Sequence, residues 1–186
     1  MRAPRRAYSR LAREPHAVTA VAACYRPIIV AVTIGTAASI SSTSHVSIGL
    51  VASVTACWAF LVAIQVAAAW VAIPAASRNV MGTARTIDLL FSGHGPWSLW
   101  LLAGAAWATL TPTSGRDTRW LFASVPVPLI WNAAIVFAFF RHALGLAPGV
   151  AVRRTIAHQA LTVGSGLAIF GSAVAIWPRI VGFFVR

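Results

Sequence analysis

Residues 47–71, SIGLVASVTACWAFLVAIQVAAAWV, contain no charged side chain and only isolated polar ones. The hydrocarbon core of a bilayer is about 30 Å thick, and a helix needs about 20 apolar residues to cross it. This stretch therefore predicts a transmembrane α-helix, and it is the clearest such segment in the chain. The fold of the remaining residues has to accommodate a helix that is surrounded by lipid.

Four further stretches share this character, so the sequence predicts five spans at about 27–44, 47–71, 96–112, 120–140 and 158–178. The composition agrees, because 59% of the residues are hydrophobic and only 10% are charged. A soluble domain has roughly a quarter of its residues charged. We therefore predict an all-α integral membrane protein with a bundle of about five transmembrane helices, in which residues 27–186 form a single domain.

The basic residues are all arginine, and they give the chain a net charge of +12. They lie at the ends of apolar stretches and form no stripe on a polar face, so nucleic-acid binding is not predicted. Most of them fall on one side of the membrane if the N-terminus is cytoplasmic, as expected for cytoplasmic flanks. This predicts an N-terminus inside and a C-terminus outside. The alanine- and arginine-rich composition is typical of a GC-rich bacterial genome and hence of a bacterial cytoplasmic (inner) membrane.

The N-terminal residues 1–26 are rich in arginine and only weakly apolar. We interpret them as a basic cytoplasmic segment that contains a short amphipathic helix lying on the membrane surface. A cleaved signal peptide, or a lipobox-like processing site around Cys24, is the alternative. Cys24 and Cys57 both lie in apolar context and are expected to be buried thiols.

Residues 88–102, DLLFSGHGPWSLWLL, pass from an acid through a turn into an apolar stretch. Proline is favoured at the first position of a helix and tryptophan at headgroup depth, so we interpret the segment as the entry of the third span. Asp88 is expected to pair with Arg85, which precedes it by three residues. The residues of this candidate functional loop are Asp88, His94, Gly95, Pro96 and Trp97.

His94 is flanked by glycines and is expected to be a solvated loop residue. A zinc site needs three or four ligands, and the spacing of His16, His94, His142 and His158 matches no ligand motif. A haem would need two histidines that face each other within the spans. The three acidic residues lie outside the spans. We therefore predict no catalytic group, metal or cofactor, and a membrane enzyme that uses His94 with Asp88 is the least favoured hypothesis.

The fourth predicted span contains two prolines in the sequence SVPVPLIW, residues 124–131. Proline removes backbone hydrogen bonds, and neighbouring groups or water must satisfy the freed carbonyls. Two interpretations remain open, a packed kink and a broken helix that lines a cavity. The candidate residues of this cavity or kink are Pro126, Pro128 and Asn132.

Small residues recur at every fourth position in three of the predicted spans, which favours close approach of helices in lipid. The candidate packing residues are Gly35 in the first span, Ala63 in the second, and Gly164 and Ala168 in the fifth.

The predicted plan resembles the Yip-type domain family, which has a cytoplasmic N-terminal region and five closely packed spans. Residues 88–97, DLLFSGHGPW, resemble that family's Asp-Leu-x-Gly-Pro signature. Here six residues separate Leu89 from Pro96, and the stretch precedes the third span instead of the first. The resemblance implies a non-enzymatic membrane protein that acts through partners or on bilayer organisation.

Two hypotheses for the function follow. The first is a non-enzymatic multi-pass membrane protein that associates laterally with other membrane proteins or with itself, or that organises the lipid bilayer. The alternative is a small transporter or permease subunit with a site at the proline-broken fourth span.

Overall fold

The computed structural model describes residues 2–13, 18–43, 47–111 and 117–184, and these ranges are helical almost throughout, without a strand. The all-α prediction is confirmed. The elements, in chain order, are α1 Arg2–Arg13, α2 Ala20–Thr43, α3 Ile48–Ala72, α4 Ala75–Met81, α5 Thr83–Phe91, α6 Gly95–Leu110, α7 Thr118–Ser124, α8 Pro126–Ala138, a π-helical turn Phe139–Ala143, and α9 Pro148–Phe184.

Three stretches of the described chain are long and apolar enough to cross a membrane: Ala20–Ser41, Ile48–Ala72 and Arg119–Ala143. The last of them combines α7, α8 and the π-helical turn. Helices α6 and α9 lie where the sequence predicts the third and fifth spans. The structure therefore has the character of a membrane protein, with three candidate spans.

The first of these helices begins earlier than the sequence predicts, at Ala20, and passes through Pro27. Thr19 caps its start, because its side-chain oxygen accepts a hydrogen bond from the backbone N–H of Ala22 at 3.1 Å. Arg26 does not end the helix, since its guanidinium is paired with Asp88 at 3.1 Å. A neutralised cation is compatible with an otherwise apolar helix, which the sequence pattern alone did not reveal.

Five of the described helices form a closed ring. Helix α2 packs against α3 and α6, α6 against α8, α8 against α9, and α9 against α3. The backbones of α2 and α3 approach each other closely, because an ideal Cβ at Gly35 would lie 2.0 Å from Oγ1 of Thr55. Gly35 therefore acts in internal helix packing, as its place in the small-residue stripe predicts. The ring leaves a space at its centre.

Helix α1 packs against the π-helical turn and α8. Its anchor is Tyr8, which is 4% exposed and meets the ring of Phe139 edge to face at 5.8 Å. The Tyr8 hydroxyl donates a hydrogen bond to the carbonyl of Leu89 at 3.3 Å, and burial raises the pKa of this phenol. The guanidinium of Arg85 donates to the carbonyl of Leu11. Since the arginines at positions 5, 6 and 10 are exposed, α1 is an amphipathic helix docked by one face.

Candidate functional site

A cavity of about 300 Å³ occupies the centre of the helix ring. Residues of α2, α3, α6, α7, α8 and α9 line it, and most of the wall is apolar, as at Ile34, Leu61 and Leu101. Cavities of this size lie at the lower end of the range for ligand pockets, about 300–1,000 Å³. An internal space between packed helices is a common place for a ligand site in a bundle.

Three tryptophans form the aromatic part of this wall: Trp58 from α3 and Trp97 and Trp100 from α6. The rings of Trp97 and Trp100 meet at nearly a right angle, with centroids 5.9 Å apart. The indole N–H of Trp100 donates to the hydroxyl of Ser124 at 2.9 Å. Because this N–H is already satisfied, Trp100 contributes a mainly apolar ring to the cavity.

Polar side chains also line the cavity, and the three most buried are Asn132, His158 and His94, which are 4%, 2% and 5% exposed. Within the described part of the chain, six of the polar side chains on the wall have at least one buried polar atom without a hydrogen-bond partner. These atoms are Oε1 of Gln65, Nδ1 of His94, Oδ1 of Asn132, both ring nitrogens of His158, Nε2 of Gln159 and Oγ1 of Thr162. A buried polar group left unpaired costs about 1–3 kcal/mol. These atoms give the otherwise apolar cavity unused hydrogen-bonding capacity.

His94 lies in the turn between α5 and α6, and its ring stacks on Phe91 with centroids 4.6 Å apart. The expectation of a solvated loop histidine is wrong. The turn lies close against α8, because an ideal Cβ at Gly93 would be 2.6 Å from Cγ2 of Ile135. Burial, together with the nearby His158, lowers the pKa of His94 to about 4, so the imidazole is neutral at neutral pH.

The other residues of the predicted loop separate into two places. Gly95 begins α6, Pro96 is buried at its first turn, and Trp97 lines the cavity. Asp88 is not among the described cavity-lining residues. Its carboxylate accepts from Nε of Arg26 at 3.1 Å, and its carbonyl accepts from Nη1 of the same residue at 3.0 Å. The sequence suggested Arg85 as the partner of Asp88 and missed Arg26, which lies on another helix.

The proline-rich segment is a local irregularity within one candidate span, because Val125 keeps right-handed helical dihedral angles, φ −52° and ψ −37°. Helix α7 ends at Ser124 and α8 begins at Pro126, with Val125 in a turn between them. Pro128 is fully buried, and Leu121 and Asn132 on either side of the two prolines both line the cavity. His94 and Trp97 of the predicted loop and Asn132 of the proline-rich segment therefore line one cavity.

Comparison with protein-family models, with curated proteins and with solved structures finds no match to this chain. The resemblance to the Yip-type family stays a prediction from the sequence. The chemistry of the cavity is therefore the basis for assigning a function.

The sequence did not single out the contribution of α9 to this site, which comes from His158, Gln159 and Thr162. His158 and Gln159 precede Thr162 by four and three residues, and residues three and four apart are neighbours on the surface of a helix. Their shared face in an otherwise apolar segment was the available signal. The other available sequence signal was Gln65, an isolated amide within the apolar helix α3. Within the described residues, no group of three or more histidine, cysteine or acidic side chains is arranged to hold a metal ion.

The remaining packing candidates lie on the outside of the bundle. Ala63, Gly164 and Ala168 are exposed, and an ideal Cβ at Gly164 would meet nothing within 4 Å. Cys24 and Cys57 are exposed free thiols on the outer surface of α2 and α3, so the expectation that they are buried is wrong. An apolar side chain on a lipid-facing surface needs no protein cover, which explains why apolar context did not predict burial.

Proposed function

We propose that this chain is a five-span membrane protein that binds a small molecule in the cavity inside its helix ring, as a carrier or permease subunit. The observation that supports this most is the set of six polar side chains with buried, unpartnered atoms around an apolar cavity. Such atoms are stabilised when a bound molecule supplies their hydrogen bonds. Asn132, one turn after Pro128 in α8, belongs to this set.

In this proposal α6 and α9 are also spans, which completes the five. Both belong to the ring. Helix α6 has 16 residues and is about 24 Å long at 1.5 Å per residue. A short span is accommodated by local thinning of the bilayer. The proposed location is a bacterial cytoplasmic membrane, with the N-terminus inside and the C-terminus outside.

The proposed binding can be tested without prior choice of a ligand. The protein is purified from membranes in mild detergent and analysed by native mass spectrometry for a co-purifying small molecule. Ala105 lines the cavity and is 1% exposed, whereas its neighbour Ala106 is exposed on the outer face of α6. We expect the bound mass in the wild type and in Ala106→Phe, and its loss in Ala105→Phe, where the added ring fills the cavity.

Asn132→Leu provides a second, gentler variant because it changes the chemistry of the site with little change in volume. Its control is Asn79→Leu, at an exposed position in α4 outside the cavity. We expect loss of the bound mass only in Asn132→Leu. If wild-type protein carries no such molecule, or if both members of each pair retain it equally, the proposed function is wrong.

The exposed small-residue stripe of α9 favours a second candidate function, lateral association with a membrane partner or with another copy. Gly164 and Ala168 present a smooth surface that the chain's own described helices leave uncovered. A close helix contact in lipid uses such surfaces. Crosslinking in native membranes should lose its oligomeric or partner bands in Gly164→Leu. Unchanged bands would remove this candidate.

A further inference from the structure

The proposed site can be specified further from the charges on its wall. None of the described residues that line the cavity is Asp, Glu, Lys or Arg. An ion transferred into such a place loses its hydration and gains no opposite charge in return, which is strongly unfavourable. The occupant therefore has to be uncharged.

A pure hydrocarbon is excluded as the ligand, because it would leave all the polar atoms of the cavity wall without hydrogen bonds. The site offers both kinds of hydrogen-bonding group, since Nε2 of Gln159 is a donor and Oε1 of Gln65 and Oδ1 of Asn132 are acceptors. The imidazole of His158 adds two ring nitrogens without a hydrogen-bond partner. Carbonyl oxygens on a ligand match the donors, and hydroxyl groups match both donors and acceptors.

The tryptophans on the cavity wall favour a ligand that contains a ring. Trp58 comes from α3 and the pair Trp97 and Trp100 from α6, two helices that both pack against α2. Aromatic rings pack favourably against one another in offset or edge-to-face arrangements. The polar groups lie on several walls, with Asn132 on α8, His158 on α9 and Gln65 on α3. The cavity thus combines aromatic surface with hydrogen-bonding groups at its polar walls.

We propose, building on the function above, that the cavity binds an uncharged ring compound that carries carbonyl or hydroxyl oxygens, the class of a quinone or quinol headgroup. The apolar walls and the surrounding lipid suit the ring, and the amides and imidazoles hold its oxygens. Gln159 and His158 donate to a carbonyl. Gln65 and Asn132 accept from a hydroxyl.

The three cavity tryptophans supply a direct readout, because a quinone in contact with an indole quenches its fluorescence. The full-length protein in nanodiscs is titrated with 1,4-naphthoquinone, with naphthalene as the oxygen-free analogue and with 1,2-naphthoquinone-4-sulfonate as the charged one. We expect saturable quenching by 1,4-naphthoquinone. Displacement of this quinone by naphthalene or by the sulfonate should need at least about tenfold higher concentrations, corresponding to a missing hydrogen-bond set or an unpaired charge.

The variants test which side chains hold the oxygens. His158→Leu should weaken 1,4-naphthoquinone binding about tenfold and leave naphthalene binding unchanged. His158→Gln, which keeps a donor and an acceptor, should retain binding and shows that the protein is folded. The matched control is His142→Leu, since His142 lies outside the cavity.

The outcomes separate this inference from the proposed function. Equal binding of naphthalene and 1,4-naphthoquinone, or unchanged quinone binding in His158→Leu, would overturn the ligand class while the cavity remained a binding site. If no probe gave a saturable signal and wild-type protein also carried no co-purifying molecule, both proposals would be wrong.

Discussion

Tyr8 is the side chain that holds α1 on the bundle, and its removal should release this helix. The phenol ring is 4% exposed, meets Phe139 edge to face, and donates to the carbonyl of Leu89 at 3.3 Å. Truncation of a buried aromatic side chain to alanine costs about 3–5 kcal/mol. Since every 1.4 kcal/mol is a factor of ten, the undocked fraction of α1 should rise by roughly 100- to 3,000-fold in Tyr8→Ala.

Limited trypsin digestion measures this fraction, because arginines at positions 5, 6 and 10 are exposed cleavage sites on α1. An isolated helix of 12 residues is marginally stable in water, so undocked α1 should fray and be cut. Cleavage follows the population of the open form when opening and closing are fast. Tyr8→Phe, which loses only the hydrogen bond at about 0.5–1.5 kcal/mol, should be cut roughly two- to tenfold faster than the wild type.

The matched control is Tyr25→Ala, because Tyr25 is 64% exposed on α2. It should leave the cleavage rate unchanged. Wild-type rates of cleavage in Tyr8→Ala would show that α1 is not held by this contact, and the docked position of the N-terminal helix would be wrong.

Three further predictions concern the same framework. Burial raises the pKa of Tyr8 above its ordinary value of 10.0, so the docked position of α1 disfavours the phenolate. The stability that the neutral phenol contributes is present below pH 10 and is lost as the pH rises through the raised pKa. Trypsin digestion of the wild type, but not of Tyr8→Phe, should therefore accelerate in that pH range. Gly35→Ala should lower the thermal unfolding temperature, because overpacking against Thr55 costs about 1–3 kcal/mol. A methyl group at Gly49 would meet nothing within 4 Å, so Gly49→Ala should leave the unfolding temperature unchanged or raise it. Equal effects of the two substitutions would contradict the close contact of α2 and α3. Asp88→Asn should cost about 1 kcal/mol of stability, because the Arg26 side chain is 40% exposed and solvent weakens the ion pair. Asp117→Asn should cost less in the same unfolding measurement, because its pair with Arg119 is more exposed. A larger effect of Asp117→Asn than of Asp88→Asn would refute this ranking.

The sequence predicted the all-α class and the membrane character of the protein, because long apolar stretches leave few alternatives to a helix in lipid. It also predicted the start of α6 near Pro96, since proline acts through its own backbone geometry. These signals are local, so they do not depend on how the helices are arranged in the fold.

Only parts of the cavity site could be predicted from the sequence. His94 and Asn132 were both candidates, but they belonged to two different hypotheses, and the ring of helices brings them to one cavity. The burial of His94 depends on Gly93 lying against α8, and the pairing of Asp88 depends on Arg26 from α2. Contacts between residues far apart in the chain have no local signature in a single sequence.

The order of helices around the ring has a consequence for biosynthesis. Helix α9 is translated after the other four members and fits between α3 and α8. Until it arrives, the amides of Gln65 and Asn132 border a gap in the nascent bundle, and an amide facing hydrocarbon is costly. Docking of α9 between α3 and α8 therefore closes the ring and covers these amides in a single late step.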